Sequence, residues 1–280
     1  MQLSKPSISR RDFVTSAAVG AAALLQPQLQ AKRRIPVAVQ LHSIREDCQR
    51  DLPGSLAAVA KMGYDGVEFA EKYGRSAQEL RKMLDDLNLK AFSAHVKLTT
   101  LLGDELEKTI EFNNTLGNPR LTVSSLPATK TIQPWYEVAR QFNAIAEKLK
   151  KHQMRVGFHN HANELELIEG RRPWDVFLDN TSQEVTMQMH LNHFPGHGLD
   201  IVDYIKRYPG RARLTHLNDY SPGKSVLLGE GVIEWNKVFH AFETIGGIEC
   251  YIVEQEHYSG PLTLMECQDR CLQNFRKLHG

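Results

Sequence analysis

Apolar positions along the chain fall into two alternating patterns. Short runs rich in Val, Ile, Leu and Phe, at 35–41, 66–70, 90–95, 120–124, 155–159, 185–190, 212–217 and 249–254, have the length and composition of buried strands. Between them, residues 56–62, 77–87, 106–116, 135–152, 202–208, 235–245 and 264–278 repeat apolar positions at helical spacing. Boundary residues agree with this division. Ser76 precedes a helix whose third position is Glu79, the pattern of a capping box, and Gly63 and Gly117 stand where two helices must stop. The thinnest crossover lies between the fifth and sixth strands, where Pro173-Trp174-Asp175-Val176-Phe177-Leu178 predicts only a short helix.

Parallel strands cannot be joined by tight turns, so eight strands alternating with helices over about 250 residues predict a (β/α)8 TIM barrel. The competing doubly wound sheet calls for a glycine-rich turn after the first strand, and Gln40-Leu41-His42-Ser43-Ile44-Arg45 contains no glycine. No internal repeat or second domain follows, so residues 32–280 are read as one barrel domain.

The N-terminus breaks the pattern. Ser9-Arg10-Arg11-Asp12-Phe13 precedes an uncharged, Ala-rich run at 14–25 that is too short for a good membrane span, and Gln28-Leu29-Gln30-Ala31 offers a cleavage site. Residues 1–31 are therefore expected to be a twin-arginine signal peptide, which predicts an exported, periplasmic protein. The translocation machinery would be a transient partner, and no stable membrane anchor is foreseen. Proteins taking this route cross the membrane folded, which suits one that must acquire a metal first. The whole chain has 41% hydrophobic and 24% charged residues, an ordinary globular balance. Three of its 34 basic and one of its 33 acidic side chains lie in 1–31, leaving a formal charge of −1 on the rest. That balance speaks against nucleic-acid binding. Cys48, Cys250, Cys267 and Cys271 form no Cys-x-x-Cys pair and are too few for a disulfide framework, so they are read as packing thiols.

Chemistry gathers around Arg155-Val156-Gly157-Phe158-His159-Asn160-His161, with Glu164 three residues on. Residues two apart in a strand share a face, so His159 and His161 can both look over the end of the fifth strand. In a barrel the site is built at the C-terminal strand ends. Those positions are His42, Glu68, His95, Ser125, His159 with His161, His190, His216, and Glu254 with Glu256. Singly, each reads as a hydrogen-bonded structural residue; together they form an imidazole and carboxylate set suited to Zn, Mn, Fe or Co rather than Mg or Ca.

Five stretches carry a resemblance: Val39-Gln40-Leu41-His42-Ser43-Ile44-Arg45-Glu46-Asp47, Gly63-Tyr64-Asp65-Gly66-Val67-Glu68-Phe69, Phe158-His159-Asn160-His161, Gly229-Glu230-Gly231 and Tyr251-Ile252-Val253-Glu254-Gln255-Glu256. With them the chain resembles the sugar phosphate isomerase/epimerase family, whose members have a xylose isomerase-like barrel and include exported twin-arginine proteins. The resemblance implies a divalent metal at strands five to eight. Its ligands by position would be His159, where other branches place Glu, then His190, His216 and Glu254. His190 is the departure, since Gln188-Met189-His190-Leu191-Asn192-His193 stands where relatives usually read Gln-Leu-Asp-Thr-Gly-Asn. An imidazole for a carboxylate favours Zn, Co or Fe over Mg or Mn. Asn218-Asp219 likewise replaces a common Lys-Glu.

The implied chemistry is metal-assisted proton abstraction next to a sugar carbonyl through an enediolate, giving isomerisation or epimerisation. Glu164 is the expected base, with Glu254 or Glu256 as second acid/base. His42, Glu68, His95, His161 and Asn218 are expected to contact substrate. Trp174 and Trp235 are read first as core and second as a stacking wall. Two alternatives stay open: a keto-sugar or 3-keto-glycoside lyase or hydratase on the same site, and a degenerate, non-catalytic sugar-binding barrel.

Overall fold

Eight parallel strands, each hydrogen-bonded to the next in chain order and the last to the first, close a barrel in the computed structural model, which describes residues 34–280. They are β1 (Val37–Gln40), β2 (Gly66–Phe69), β3 (Lys90–Val96), β4 (Arg120–Val123), β5 (Arg155–His159), β6 (Thr186–His190), β7 (Leu214–Leu217) and β8 (Cys250–Val253). The twin-arginine segment lies outside the described residues, and Ile35–Gly280 make one compact unit. Among the described residues no helix is long and apolar enough to cross a membrane.

The helices are α1 (Arg45–Arg50), α2 (Leu52–Met62), α3 (Ala77–Asp86), α4 (Glu105–Leu116), α5 (Gln133–Lys150), α6 (Pro173–Asp179), α7 (His193–Gly196), α8 (Ile201–Arg207), α9 (Trp235–Ala241) and α10 (Leu264–His279). The Ser76–Glu79 capping box forms as the sequence implies, and Gly63 and Gly117 end α2 and α4 with φ of 92° and 78°. The short helices α1 and α7 lack an apolar period and are not foreseen by the pattern. Trp174 is fully buried against Phe158 and Phe177, and Trp235 is buried too, so both belong to the core and neither forms a stacking wall.

Strand alternation decides what the barrel interior holds. Ala38, Leu214, Cys250 and Ile252 pack as an apolar cluster inside it. Two residues further along the same strands come Gln40, His216 and Glu254, and with them Glu68 of β2 and Gln188 of β6, all buried. One step in each strand therefore exchanges an apolar floor for a polar ceiling. The strands also approach closely: a Cβ on Gly157 would lie 2.4 Å from Thr186 Oγ1, so the tight β5–β6 pairing beneath His159 requires glycine.

Candidate active site

Four buried side chains from four consecutive strand ends meet over this polar layer. Donor atoms of His159, His190, His216 and Glu254 all lie within 4.8 Å of one another. Donors bound to one zinc-type ion at roughly 2.0–2.3 Å can be at most ~4.6 Å apart, so the cluster is close to the size of a single-ion site and would contract slightly around an ion.

His216 is the centre of the network. Its Nδ1 is 2.5 Å from Glu254 Oε2 and its Nε2 is 2.5 Å from Glu68 Oε2. Burial by itself would lower the His216 pKa, but the carboxylates on both sides outweigh it and hold it up at about 10. The ring is thus an imidazolium clamped between two carboxylates. Burial pushes Glu68 the other way, toward the neutral acid, yet His95 and His216 bring it down to about 2; Glu254 is held well below the usual carboxylate range by His216 and His190. Glu68 also accepts from Gln40 Nε2 and Gln188 Nε2, each at 2.7 Å, while Gln188 Oε1 is 2.9 Å from His95 Nε2. A carboxylate on the far nitrogen of a histidine is the usual support for a metal ligand. With Glu68 holding Nε2–H, His216 can offer Nδ1 to an ion beside Glu254.

His159 fits as well. Burial, then the charge of His216, keeps its pKa well below the ordinary value, so the ring is neutral with a free lone pair. Its Nε2 faces the cluster, 3.3 Å from His190 Nδ1, and its buried Nδ1 has no partner among the described residues. His190 fits less directly. Asn218 accepts from the Asn192 N–H through Oδ1 (3.0 Å), which turns its amide nitrogen onto His190 Nε2. With Asn218 donating to Nε2, the Nδ1 of His190 carries a proton aimed at Glu254 Oε2, 3.0 Å away. To ligate through Nδ1 it must move that proton to Nε2, against Asn218. The donor set therefore suits a nitrogen-rich divalent site, with His159 and Glu254 ready, His216 having to give up its Nδ1 proton and His190 needing a tautomer change.

Other expected site residues fall in different places. His42 and Glu256 pair at the rim, 3.3 Å apart. His95, Ser125 and His161 line the cavity over the cluster together with His42 and Glu256. Burial, and then His190, lower His161 to about 4, so it presents a neutral ring. Three residues make contacts that the sequence does not foresee. Glu68 is fully buried beneath His216 and cannot reach a substrate hydroxyl. Asn218 gives its amide to His190 and Asn192 and lines a second cavity walled by the segments after β6, β7 and β8. The carboxylate of Glu164, the expected base, is engaged locally: its Oε2 accepts from the His161 N–H at 2.7 Å, and burial raises its pKa.

Several residues enter the site without having been singled out. His193 stacks on His190 with ring centroids 4.4 Å apart, and burial, then His190, lower it to about 3. Gln40 and Gln188 are polar residues in otherwise apolar strands, Gln188 two positions before His190 and hence on its face, a legible signal. Asp219 builds the loop after β7. Its carboxylate accepts from the N–H groups of Tyr220, Gly229, Gly231 and Ile233 and from Trp235 Nε1 at 2.8–3.3 Å. A Cβ on Gly231 would fall 2.3 Å from both Asp219 Oδ1 and the Tyr220 carbonyl, which explains the glycine there.

Comparison with known proteins agrees with this architecture. The family model of the xylose isomerase-like TIM barrel matches residues 56–271. An inosose dehydratase of Clostridium perfringens is 21% identical over 260 residues, covering 78% of this chain and 83% of the relative. Among solved structures, a sugar phosphate isomerase/epimerase from Parabacteroides distasonis superposes with a TM-score of 0.77 at 22% identity, over 89% of this chain and 95% of that one. An L-ribulose 3-epimerase gives 0.65 at 16% identity, over 88% and 94%.

Proposed function

Because the chain belongs to the xylose isomerase-like TIM barrel family, we propose that it isomerises or epimerises a sugar by removing a proton next to a carbonyl, with a divalent ion held by His159, His190, His216 and Glu254. The observation that carries this reading is the convergence of those four donors at the mouth of the barrel. When bound, the ion supplies Lewis-acid polarisation of the carbonyl.

The protein's own groups supply the proton transfers. Glu256, after β8, and His161, after β5, line the cavity from strands that are not neighbours in the barrel. An acid/base on each side of the reacting carbon is what inversion of that centre requires. His161 is suited to accept a proton because burial keeps its ring neutral. Glu164 acts on His161 rather than on substrate, by accepting its backbone N–H and fixing the turn that presents the ring. Glu68, Gln40 and Gln188 hold His216 in place from below, which keeps the ligand layer rigid. His42 and His95 are left to contact hydroxyls.

A second reading shares the first step and then expels a leaving group. It is favoured by the inosose dehydratase relative, which aligns over most of both chains. One experiment separates the readings. The purified protein is assayed for bound metal and incubated with a panel of keto sugars in D2O, and products are examined by NMR and mass spectrometry. Deuterium in an isomerised sugar supports the first reading, and an unsaturated product supports the second. Absence of stoichiometric divalent metal, with none gained on addition, would leave a non-catalytic sugar-binding barrel. Export is part of the proposal through Ser9-Arg10-Arg11-Asp12-Phe13; Arg10→Lys with Arg11→Lys should retain the protein in the cytoplasm on fractionation.

A further inference from the structure

Two cavities open at the C-terminal ends of the strands and share His190, Glu254 and Glu256 as a common wall. The first, about 300 Å³, is the histidine-lined space over the ligand cluster. The second, about 460 Å³, is walled by the segments that follow β6, β7 and β8 and includes Asn192, Asn218, Tyr220, Lys224, Gln255 and His257. We propose that the substrate is a two-unit carbohydrate, a disaccharide or similar glycoside, with the reacting sugar in the first lobe and a second sugar unit in the β6–β8 lobe. This rests on the sugar reading of the first lobe given above and extends it to the class of substrate.

Size argues for two units. At ~30 Å³ per water, the first lobe holds about ten waters, room for one six-membered ring with its hydroxyls. A monosaccharide seated there would leave the larger lobe empty of substrate. Lining chemistry argues that the second unit is another sugar. Asn192, Asn218, Tyr220, Ser221, Ser225 and Gln255 place amides and hydroxyls in the wall, with Val226 its one large aliphatic side chain. Asn192 Oδ1 is buried without a partner among the described residues, an acceptor that a ligand hydroxyl would satisfy. An apolar aglycone has no counterpart in such a wall. A phosphate is also a poor match, because the same wall carries Glu254, Glu256 and Asp219 beside its one lysine, Lys224. The lobe is pre-formed as well. Asp219 anchors the loop after β7, Ser225 Oγ ties that loop to the segment after β8 by donating to the His257 carbonyl at 2.8 Å, and Gln255 Nε2 donates to the same carbonyl at 2.7 Å. Such preorganisation lowers the cost of binding a second unit.

The test is calorimetric or saturation-transfer NMR binding of the full chain as purified. Probes are methyl glucoside, glucose 6-phosphate, and the disaccharides maltose, cellobiose and sucrose. At least one disaccharide is expected to bind tenfold or more tightly than methyl glucoside, and Asn192→Ala should remove most of that advantage while the thermal midpoint is retained. Equal binding of methyl glucoside and all three disaccharides, or an Asn192→Ala loss shared equally by both, overturns the second subsite and leaves the proposed reaction standing. Tightest binding of glucose 6-phosphate overturns it in favour of an anionic substrate. Binding of no sugar at all overturns the sugar reading beneath it.

Discussion

Loading a metal at the barrel mouth should release one proton, and that proton should come from His216. Both of its nitrogens face carboxylates, and its pKa is held at about 10. His159 is already neutral and has none to lose. At pH 7, three units below 10, roughly one molecule in 10³ has Nδ1 of His216 free, a handicap of ~4 kcal/mol on apparent affinity. Apparent affinity for Zn2+ or Co2+ should therefore rise about tenfold per pH unit from 6 to 9 and level off near 10. Chelator competition across that range reads the slope. Titration calorimetry at pH 7 in two buffers of different ionisation heat counts the proton. A flat affinity with no proton released would refute the reasoning, because it would mean that His216 is neutral before the ion arrives or does not bind it.

The same clamp sets the pH dependence of stability without metal. A histidine whose pKa is raised from about 6.5 to about 10 on folding contributes fully below pH 6.5 and loses that contribution as pH rises through 10, so the melting temperature of metal-free protein should fall steadily across that window and His216→Gln should flatten the trend. His190→Asp replaces a ring that must shift its proton with a carboxylate that need not. It should keep or raise activity and move preference toward Mn2+ or Mg2+ by about tenfold in metal competition, and loss of all metal binding would assign His190 another role. Asp219→Ala strips a partner from five donors, including the buried Trp235 indole, and should cost about 3 kcal/mol in urea unfolding. A cost under ~1 kcal/mol would show that water replaces the carboxylate freely.

Local sequence determines much of this protein. Strand β5 runs from Arg155 to His159 as the pattern predicts, and the other strands are shifted by a few residues at most, because Val- and Ile-rich runs bounded by glycine and caps leave little choice of conformation. Period-two alternation also puts His159, His190 and His216 on the inner face before any contact is known. Tertiary structure decides what those residues are for. Glu68 meets His216 across 148 residues and Gln188 across 120, and their depth in the barrel is set by its closure, so a strand-end carboxylate that reads as a sugar contact is in fact buried under the ligand layer. The direction of Glu164 depends on a three-residue turn that offers it the His161 N–H, an interaction with no signature in spacing. Asp219 likewise becomes the anchor of a loop because Gly229 and Gly231 leave their N–H groups open to it. The alternation of a chain fixes which face a side chain takes, whereas its partner depends on how eight strands stagger around one axis, and the protonation of His216 follows from that stagger.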